Sequence, residues 1–99
     1  MRVRLHAEAR AELREAQRWY YERSPLNAIA FAHAVENAVA GIREAPSGYP
    51  LAEHGTRKFV LQQYPFNIFY RADKFEIVIM AVAHQKRRPG YWSNRAGPS

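Results

Sequence analysis

The sequence contains no cysteine, which excludes disulfide bonds, thiolate metal sites and a cysteine nucleophile. It has no P-loop, no glycine-rich dinucleotide fingerprint and no Ser/His/Asp arrangement. No apolar run approaches the roughly 20 residues that span a bilayer, and residues 1–5 lack the apolar core of a signal peptide. His33 and His54 have no second ligand nearby in the sequence. We therefore expect a cytoplasmic protein with no cofactor, no metal site and no membrane contact.

Acidic residues are scarce in the second half of the sequence. Residues 1–53 carry seven basic and seven acidic side chains, whereas residues 54–99 carry eight basic side chains and only two acidic ones, Asp73 and Glu76. The formal net charge of +6 therefore comes from the second half alone. This charge favours polyanionic partners, such as nucleic acid, an acidic protein or an anionic surface. The alternative is a charge excess that only keeps the protein soluble.

The length of 99 residues and the hydrophobic fraction of 47% indicate a globular protein with a single core. No internal repeat and no low-complexity tract divides the chain. We predict one domain over residues 1–95 and a disordered tail over residues 96–99.

Two helices are predicted in the first half of the chain. One covers residues 7–23, and it presents an apolar stripe at i, i+4, i+7 and i+11: Ala9, Leu13, Ala16 and Tyr20. Ser24-Pro25 starts the next, because a serine caps free N–H groups and a proline fits the first helical position. The second helix runs to about Glu44, and its stripe has the same spacing: Phe31, Val35, Ala38 and Ile42. With almost no linker, the two helices form an antiparallel hairpin.

Strands are predicted on both sides of the helices. Residues 2–6 alternate between basic and apolar side chains, which indicates a short strand. Three more runs follow, at residues 56–63, 66–71 and 75–83, and the last is apolar on both faces, as in a central strand. The prediction is an α+β fold of order β-α-α-β-β-β, with the helical hairpin packed on one face of a small antiparallel sheet. The partner of the first strand stays open.

Several motifs recur in order along nearly the whole chain, and together they resemble one protein family. They are Glu12-Leu13 through Trp19-Tyr20, Ser24-Pro25, Pro46, Tyr49-Pro50, Gly55-Thr56-Arg57, the run from Tyr64 to Arg71, and the run from Ala81 to Trp92. The resemblance is to the RelE/ParE superfamily of bacterial type II toxin–antitoxin toxins, also called plasmid stabilisation proteins.

This resemblance implies a cytoplasmic toxin that a cognate antitoxin neutralises. RelE-like members cut mRNA on the ribosome as metal-independent endoribonucleases, whereas ParE-like members poison DNA gyrase without nuclease activity. An acidic or amphipathic antitoxin segment is the expected partner in either branch, because it would cover the basic face. The chain therefore arrests growth either by cleaving mRNA, which we favour from the sequence, or by inhibiting gyrase. An inactive relative that only binds antitoxin is the third alternative.

RNA cleavage through the 2′-hydroxyl needs a base, cations at the phosphate and an acid for the leaving oxygen. The resemblance offers His84 and Tyr91 as acid or base, and Arg71 as a bidentate phosphate clamp. Each residue has an alternative role. His84 can end a strand and bond its neighbours, Tyr91-Trp92 can fold back on the sheet as an aromatic latch, and Arg71 can pair with Glu76.

The remaining basic residues are predicted to bind nucleic acid, ribosome or antitoxin. They are Arg57, Lys58, Lys86, Arg87 and Arg88. The alternative for Lys86-Arg87-Arg88 is a solvated basic run. Gln85 occupies the position where RelE-like nucleases often carry an arginine, and His84-Gln85 followed by a basic residue is similar to ParE-type tails. The residues thus leave both branches of the family open.

Overall fold

The helices of the computed structural model, which describes residues 1–96, begin and end where the sequence predicts. Helix α1 spans Ala7–Arg23 and helix α2 spans Pro25–Glu44. Ser24 serves both helices. Its backbone N–H donates to the carbonyl of Tyr20 at 2.7 Å and ends α1, and its hydroxyl accepts a backbone N–H of the first turn of α2 at 3.3 Å.

The sheet contains four strands. They are β1 (Arg2–Leu5), β2 (Arg57–Val60), β3 (Phe66–Ala72) and β4 (Glu76–His84). Their spatial order is β1-β4-β3-β2, with β4 antiparallel to β3 and β3 antiparallel to β2. The predicted order β-α-α-β-β-β is confirmed. The first strand pairs parallel to β4, which makes the sheet mixed, and the helices lie within the crossover that a parallel pair requires.

The main core lies between the helices and one face of the sheet. The predicted stripe of α2 is fully buried, and Ala9 and Ala16 of α1 are buried beside it. The buried residues that complete this core are Leu61, Ile68, Tyr70, Ile77, Ile79 and Val82. The helical hairpin therefore covers this face, as predicted.

A second, smaller core covers the opposite face of the sheet. Trp92, which is 1% exposed, packs on Phe69 of β3 with the ring centroids 4.7 Å apart. The other buried residues of this core are Val78, Met80, Ala81 and Ala83. Strand β4 is thus buried on both faces, as its apolar sequence predicts, and the residues after it belong to the fold.

A β-bulge in β4 decides which residues face each core. Phe69 pairs with Ala81 and Tyr70 pairs with Ile79, so Met80 is an extra residue opposite β3. Met80 and Ala81 both contact the smaller core, and the residue after them returns to the main core. The bulge therefore shifts the alternation of β4 by one residue, so that Val82 faces the main core and Ala83 faces the smaller core.

Two hydrogen bonds hold the loop between α2 and β2 against the sheet. The Tyr70 hydroxyl donates to the carbonyl of Pro46 at 2.6 Å, and Nη1 of Arg57 donates to the carbonyl of Tyr49 at 2.7 Å. The loop then ends in a one-turn 3-10 helix, Glu53–Gly55. Arg57, predicted to bind nucleic acid, thus has a bond that anchors this loop.

The chain after β4 forms turns and a final 3-10 helix, Ser93–Ala96. Of the tail predicted over residues 96–99, residues 97–99 lie outside the described residues. No helix in the described part of the chain is long and apolar enough to cross a membrane.

We expect Trp92→Ala to lower the free energy of unfolding by about 3–5 kcal/mol, because it removes a buried ring and leaves a cavity. Trp19→Ala is the matched control. Trp19 is 51% exposed, so its loss should cost about 1 kcal/mol or less. Urea unfolding followed by circular dichroism measures both variants. Equal losses would contradict the role of Trp92 as the centre of the smaller core.

Candidate functional site

A cleft of about 310 Å³ opens between α1 and the end of the sheet where β3 begins and β4 ends. Its walls are Glu12, Glu15, Ala16, Trp19, Tyr20, Pro65, Phe66, Val82, His84, Arg87 and Tyr91. Three residues with a predicted functional role, His84, Arg87 and Tyr91, are thus brought together. We call residues 85–95, which close one side of the cleft, the C-terminal segment.

Glu12 is the polar centre of the cleft wall. Its Oε1 accepts hydrogen bonds from the backbone N–H of Val82 at 3.0 Å and from Nη1 of Arg95 at 2.8 Å. Its Oε2 accepts from the Tyr91 hydroxyl at 2.5 Å and from Nη2 of Arg95 at 3.1 Å. One carboxylate therefore connects α1, the β4 residue that follows the bulge, and two positions of the C-terminal segment.

Arg95 is the buried counter-ion of this carboxylate. Its side chain is 8% exposed, and its guanidinium donates two parallel hydrogen bonds to the carboxylate of Glu12. The same group donates to the carbonyl of Met80 at the bulge, at 3.3 Å, and its Nε lies 3.4 Å from the carboxylate of Glu8. Burial has the largest single effect and lowers the pKa of Arg95, but the hydrogen bonds and charge of Glu12, together with Glu8 and Tyr91, raise the pKa by more in sum. Arg95 therefore stays protonated.

Tyr91 is held as a neutral hydrogen-bond donor. Burial raises the pKa of its phenol, and the hydrogen bond to Glu12 and the charge of that carboxylate raise the pKa further. The guanidinium of Arg87 lies over the Tyr91 ring, 3.9 Å from its centroid. The proton of Tyr91 is thus directed at the protein's own carboxylate.

His84 closes the other side of the cleft, at the end of β4. Its Nδ1 accepts the backbone N–H of Lys86 at 3.1 Å, and its ring packs edge-on against Phe66 with centroids 5.2 Å apart. Since Nδ1 is an acceptor, the proton of the neutral imidazole is assigned to Nε2. His84 therefore caps the turn after the strand, as in the alternative role considered for it from the sequence.

Lys86, Arg87 and Arg88 form an exposed basic turn directly after β4. Arg87 faces the cleft through its contact with the Tyr91 ring, and all three side chains are accessible to a partner. On the far wall, Arg23 stacks over the exposed ring of Trp19 at 3.7 Å. The cleft is therefore flanked by guanidinium groups held on aromatic faces.

Arg71 lies at the opposite end of the sheet from His84. Antiparallel pairing sets Phe66 opposite His84 and Arg71 opposite Val78. Arg71 is five positions after Phe66 on β3, which corresponds to about 17 Å along the strand. The structure thus does not bring Arg71 together with His84 and Tyr91.

The two basic residues of β2 lie on the outer strand of the sheet, away from the cleft. Arg57 pairs with Tyr70 and bonds the loop carbonyl of Tyr49, while Lys58 pairs with Phe69. Both side chains are half-buried. The predicted basic set is therefore divided between two parts of the surface.

Glu12 and Arg95 are residues of the site that were not predicted from the sequence. A signal existed for Glu12, because Ala9, Glu12 and Ala16 fall at i, i+3 and i+7 and share the buried face of α1. Arg95 follows Trp92 in a segment without apolar periodicity, so nothing local distinguished it from a solvated arginine.

Within residues 1–96, no three histidine, aspartate or glutamate side chains lie close enough together to hold a metal ion. The charged groups of the cleft are instead arranged as one carboxylate bound by an arginine and a tyrosine. Such a set can bind and orient groups, and it offers no ligand cluster for a metal.

Comparison with known proteins gives one family and one fold. The sequence profile of the family described as ParE toxin of type II toxin–antitoxin system, parDE, matches residues 3–89. Among solved structures, one from the chromosomal ParDE TA system of P. aeruginosa matches with a TM-score of 0.73 and 22% sequence identity, over 85% of this chain and 95% of that chain. No curated protein matches. The profile match includes His84 and ends before Tyr91 and Arg95.

The free energy of unfolding should fall as the pH rises above about 10. Folding raises the pKa of Tyr91 above its ordinary value of 10.0. The stabilisation that the raised pKa of Tyr91 adds to the free energy of unfolding is complete below pH 10.0, and it is lost as the pH rises through the pKa of the folded state. Tyr91→Phe should show a shallower decline. Urea unfolding at several alkaline pH values, on both proteins, measures the difference, and identical slopes would refute a tightly held Tyr91 proton.

Proposed function

The chain belongs to the ParE toxin family of type II toxin–antitoxin systems, and from that premise we propose that it arrests growth by binding DNA gyrase, without cutting RNA. A cognate antitoxin is the partner that a toxin of this kind has. The observation that carries the choice of gyrase over mRNA cleavage is the hydrogen bond from the Tyr91 hydroxyl to Glu12.

This bond occupies one of the two candidate acid–base groups of the cleft. Cleavage through the 2′-hydroxyl needs a base on one side of the phosphate and an acid on the other. The phenol of Tyr91 is bound to a carboxylate and has a raised pKa, so proton transfer to a leaving oxygen would first require breaking that bond. His84 alone cannot supply both an acid and a base at one phosphate.

The position of Arg71 argues against the phosphate clamp predicted from the sequence, and it leaves Arg87 as a cation at the cleft. A nuclease needs cations at the phosphate that is cleaved, because they balance the charge of the transition state. Arg71 pairs with Val78, about 17 Å along β3 from the end where His84 lies. It therefore cannot clamp a phosphate that also contacts the cleft.

The surface around the cleft has the composition of a protein-binding site. Interface cores are enriched in aromatic residues and arginine. Trp19 and Tyr91 line the cleft, Arg87 stacks on Tyr91 and Arg23 stacks on Trp19. Stacked guanidinium groups lose less freedom on binding than free side chains, which favours association with a folded partner.

The exposed basic turn suits both the target and the antitoxin. Lys86, Arg87 and Arg88 carry three positive charges, and the chain has no acid after Glu76. An acidic or amphipathic antitoxin segment would cover this turn and the cleft beside it. Neutralisation would then follow from occupancy of the surface that contacts gyrase.

Ribosome-dependent mRNA cleavage is the second candidate. The observation in its favour is that His84, Arg87 and Tyr91 line one cleft. On the ribosome, a bound mRNA would have to displace Glu12 from the Tyr91 hydroxyl before that group could act as an acid. The two candidates therefore differ in what happens to one hydrogen bond.

Induced expression in bacteria separates the candidates. We expect growth arrest with double-strand DNA breaks and an SOS response, and no codon-phased mRNA cuts. Growth arrest with mRNA cuts and intact DNA would instead select the nuclease. Absence of any toxicity from folded protein would overturn both candidates and favour an inactive, antitoxin-binding relative.

Reversal of one charge at the basic turn should weaken the toxin. We expect Arg87→Glu to reduce inhibition of DNA supercoiling by purified gyrase about tenfold or more, because it removes the cation over Tyr91 and introduces repulsion. Arg14→Glu on the exposed side of α1 is the charge-matched control and should inhibit like the wild type. Equal inhibition by both variants would exclude the basic turn from the contact with gyrase.

A further inference from the structure

We propose that Glu12 is the positioning residue of this site: it fastens the C-terminal segment to α1 and to the bulge in β4, and so holds Arg87 and Tyr91 at the cleft. The inference deepens the proposed function, on which it rests in one respect, namely that Arg87 and its neighbours contact the target. No other described carboxylate accepts hydrogen bonds from both β4 and the C-terminal segment.

The geometry requires a carboxylate at this position. Four donor hydrogens converge on two oxygens, from the Val82 backbone, the Tyr91 hydroxyl and two nitrogens of Arg95. A glutamine has one acceptor oxygen, and its amide nitrogen would point its own hydrogens at Tyr91 or Arg95. It would also remove the carboxylate that binds Arg95 with two hydrogen bonds, and would leave this guanidinium, which is 8% exposed, with only the exposed Glu8 as a counter-ion.

The hydrogen bonds around Glu12 fix the C-terminal segment at two positions, Tyr91 and Arg95. Tyr91 carries the cation of Arg87 on its ring, and its hydroxyl is fixed by Glu12. Arg95 fixes the far end of the C-terminal segment and also bonds the carbonyl of Met80 at the bulge. Glu12 therefore acts on the target through the segment that it holds.

The main core does not depend on this cluster. Its buried members come from α1, α2 and the sheet with the residue after β2, and none belongs to the C-terminal segment. Loss of the Glu12 bonds should therefore loosen the segment on both sides of Trp92, which the smaller core still holds, while the helices and the sheet remain folded. This separation is what distinguishes a positioning residue from a residue that only stabilises the fold.

Hydrogen exchange tests the inference on the intact chain. The segment has hydrogen-bonded amides that report its order: Arg87, Tyr91, Ser93 and Arg95. In Glu12→Gln we expect these amides to exchange about tenfold faster or more, and the amides of β4 before the bulge to exchange as in the wild type. Unchanged exchange in the segment would overturn the inference.

A spectroscopic titration tests the contact itself. With tyrosine labelled at the ring carbon that bears the hydroxyl, the resonance of Tyr91 reports its ionisation. In Glu12→Gln the pKa of Tyr91 should fall towards the ordinary value of a tyrosine, because the carboxylate that opposes ionisation is gone. Glu12→Asp keeps the charge and should restore part of the elevation. A pKa that does not move in Glu12→Gln would contradict the contact.

Glu8→Gln is the matched control. Glu8 lies one turn earlier on α1, is 59% exposed and is 3.4 Å from the Nε of Arg95. Its substitution therefore removes the same charge and one ion pair of Arg95, and leaves the four hydrogen bonds to Glu12 in place. We expect wild-type exchange in the segment and a wild-type titration of Tyr91. If the segment loosened equally in Glu8→Gln and in Glu12→Gln, the loss of one negative charge would explain the effect, and the role of Glu12 would be overturned.

An assay of gyrase inhibition tests whether the placement of the C-terminal segment by Glu12 affects binding of the target. We expect Glu12→Gln to inhibit supercoiling about tenfold less than the wild type, because the loosened segment must be ordered again when the toxin binds gyrase. A loosened segment with full inhibition would overturn the positioning role. If the wild type does not inhibit gyrase at all, the proposed function fails, and exchange and titration still decide whether Glu12 holds the segment. If Glu12→Gln does not fold, Tyr91→Phe is used in its place, because it removes one of the donors to Glu12. Wild-type hydrogen exchange in the segment of Tyr91→Phe would overturn the inference.

Discussion

One carboxylate, that of Glu12, sets the arrangement of the cleft and of the C-terminal segment beside it. Removing a carboxylate from water costs several kcal/mol unless donors surround it, and Glu12, whose side chain is 16% exposed, accepts four hydrogen bonds. Those bonds tie α1, β4 and the C-terminal segment to one point. A shift of β4 would remove the Val82 donor, and departure of the segment would leave the carboxylate of Glu12 without Tyr91 and Arg95. The register of β4, the position of α1 and the course of the last residues are therefore coupled.

The elements that the sequence predicted are those whose signals repeat within a few residues. The two apolar stripes and the cap at Ser24 depend on spacing along one helix, so α1 and α2 were predicted to the residue. The bulge at Met80 could not be predicted, because it depends on how β4 meets its neighbour rather than on either strand alone. The same reason explains why the parallel partner of β1 stayed open: pairing between distant strands leaves no trace within either of them.

Of the residues predicted to form a site, those that lie together in the structure are close in sequence. His84, Arg87 and Tyr91 lie within eight positions of one another, and the cleft contains all three. Arg71 was grouped with them although the predicted hairpin argued otherwise: a residue beside the turn of an antiparallel pair lies far from the opposite end of the partner strand. The bond between Glu12 and Arg95 spans 83 positions. The place of Glu12 on the buried face of α1 is a local signal, but it does not indicate the partner, and Arg95 has no local feature that distinguishes it from a solvated charge.

Tyr91 illustrates why a residue type does not determine the chemistry of a site. A tyrosine near the end of the chain is compatible with a nuclease, where the phenol acts on RNA, and equally with a binding protein, where the ring is a platform. The deciding quantity is the partner of its hydroxyl. Here that partner is Glu12, which keeps the phenol neutral and turns its ring towards Arg87. Reassigning the proton to a substrate would leave Glu12 bound to Arg95 with one donor fewer, at a free-energy cost that the substrate would have to offset.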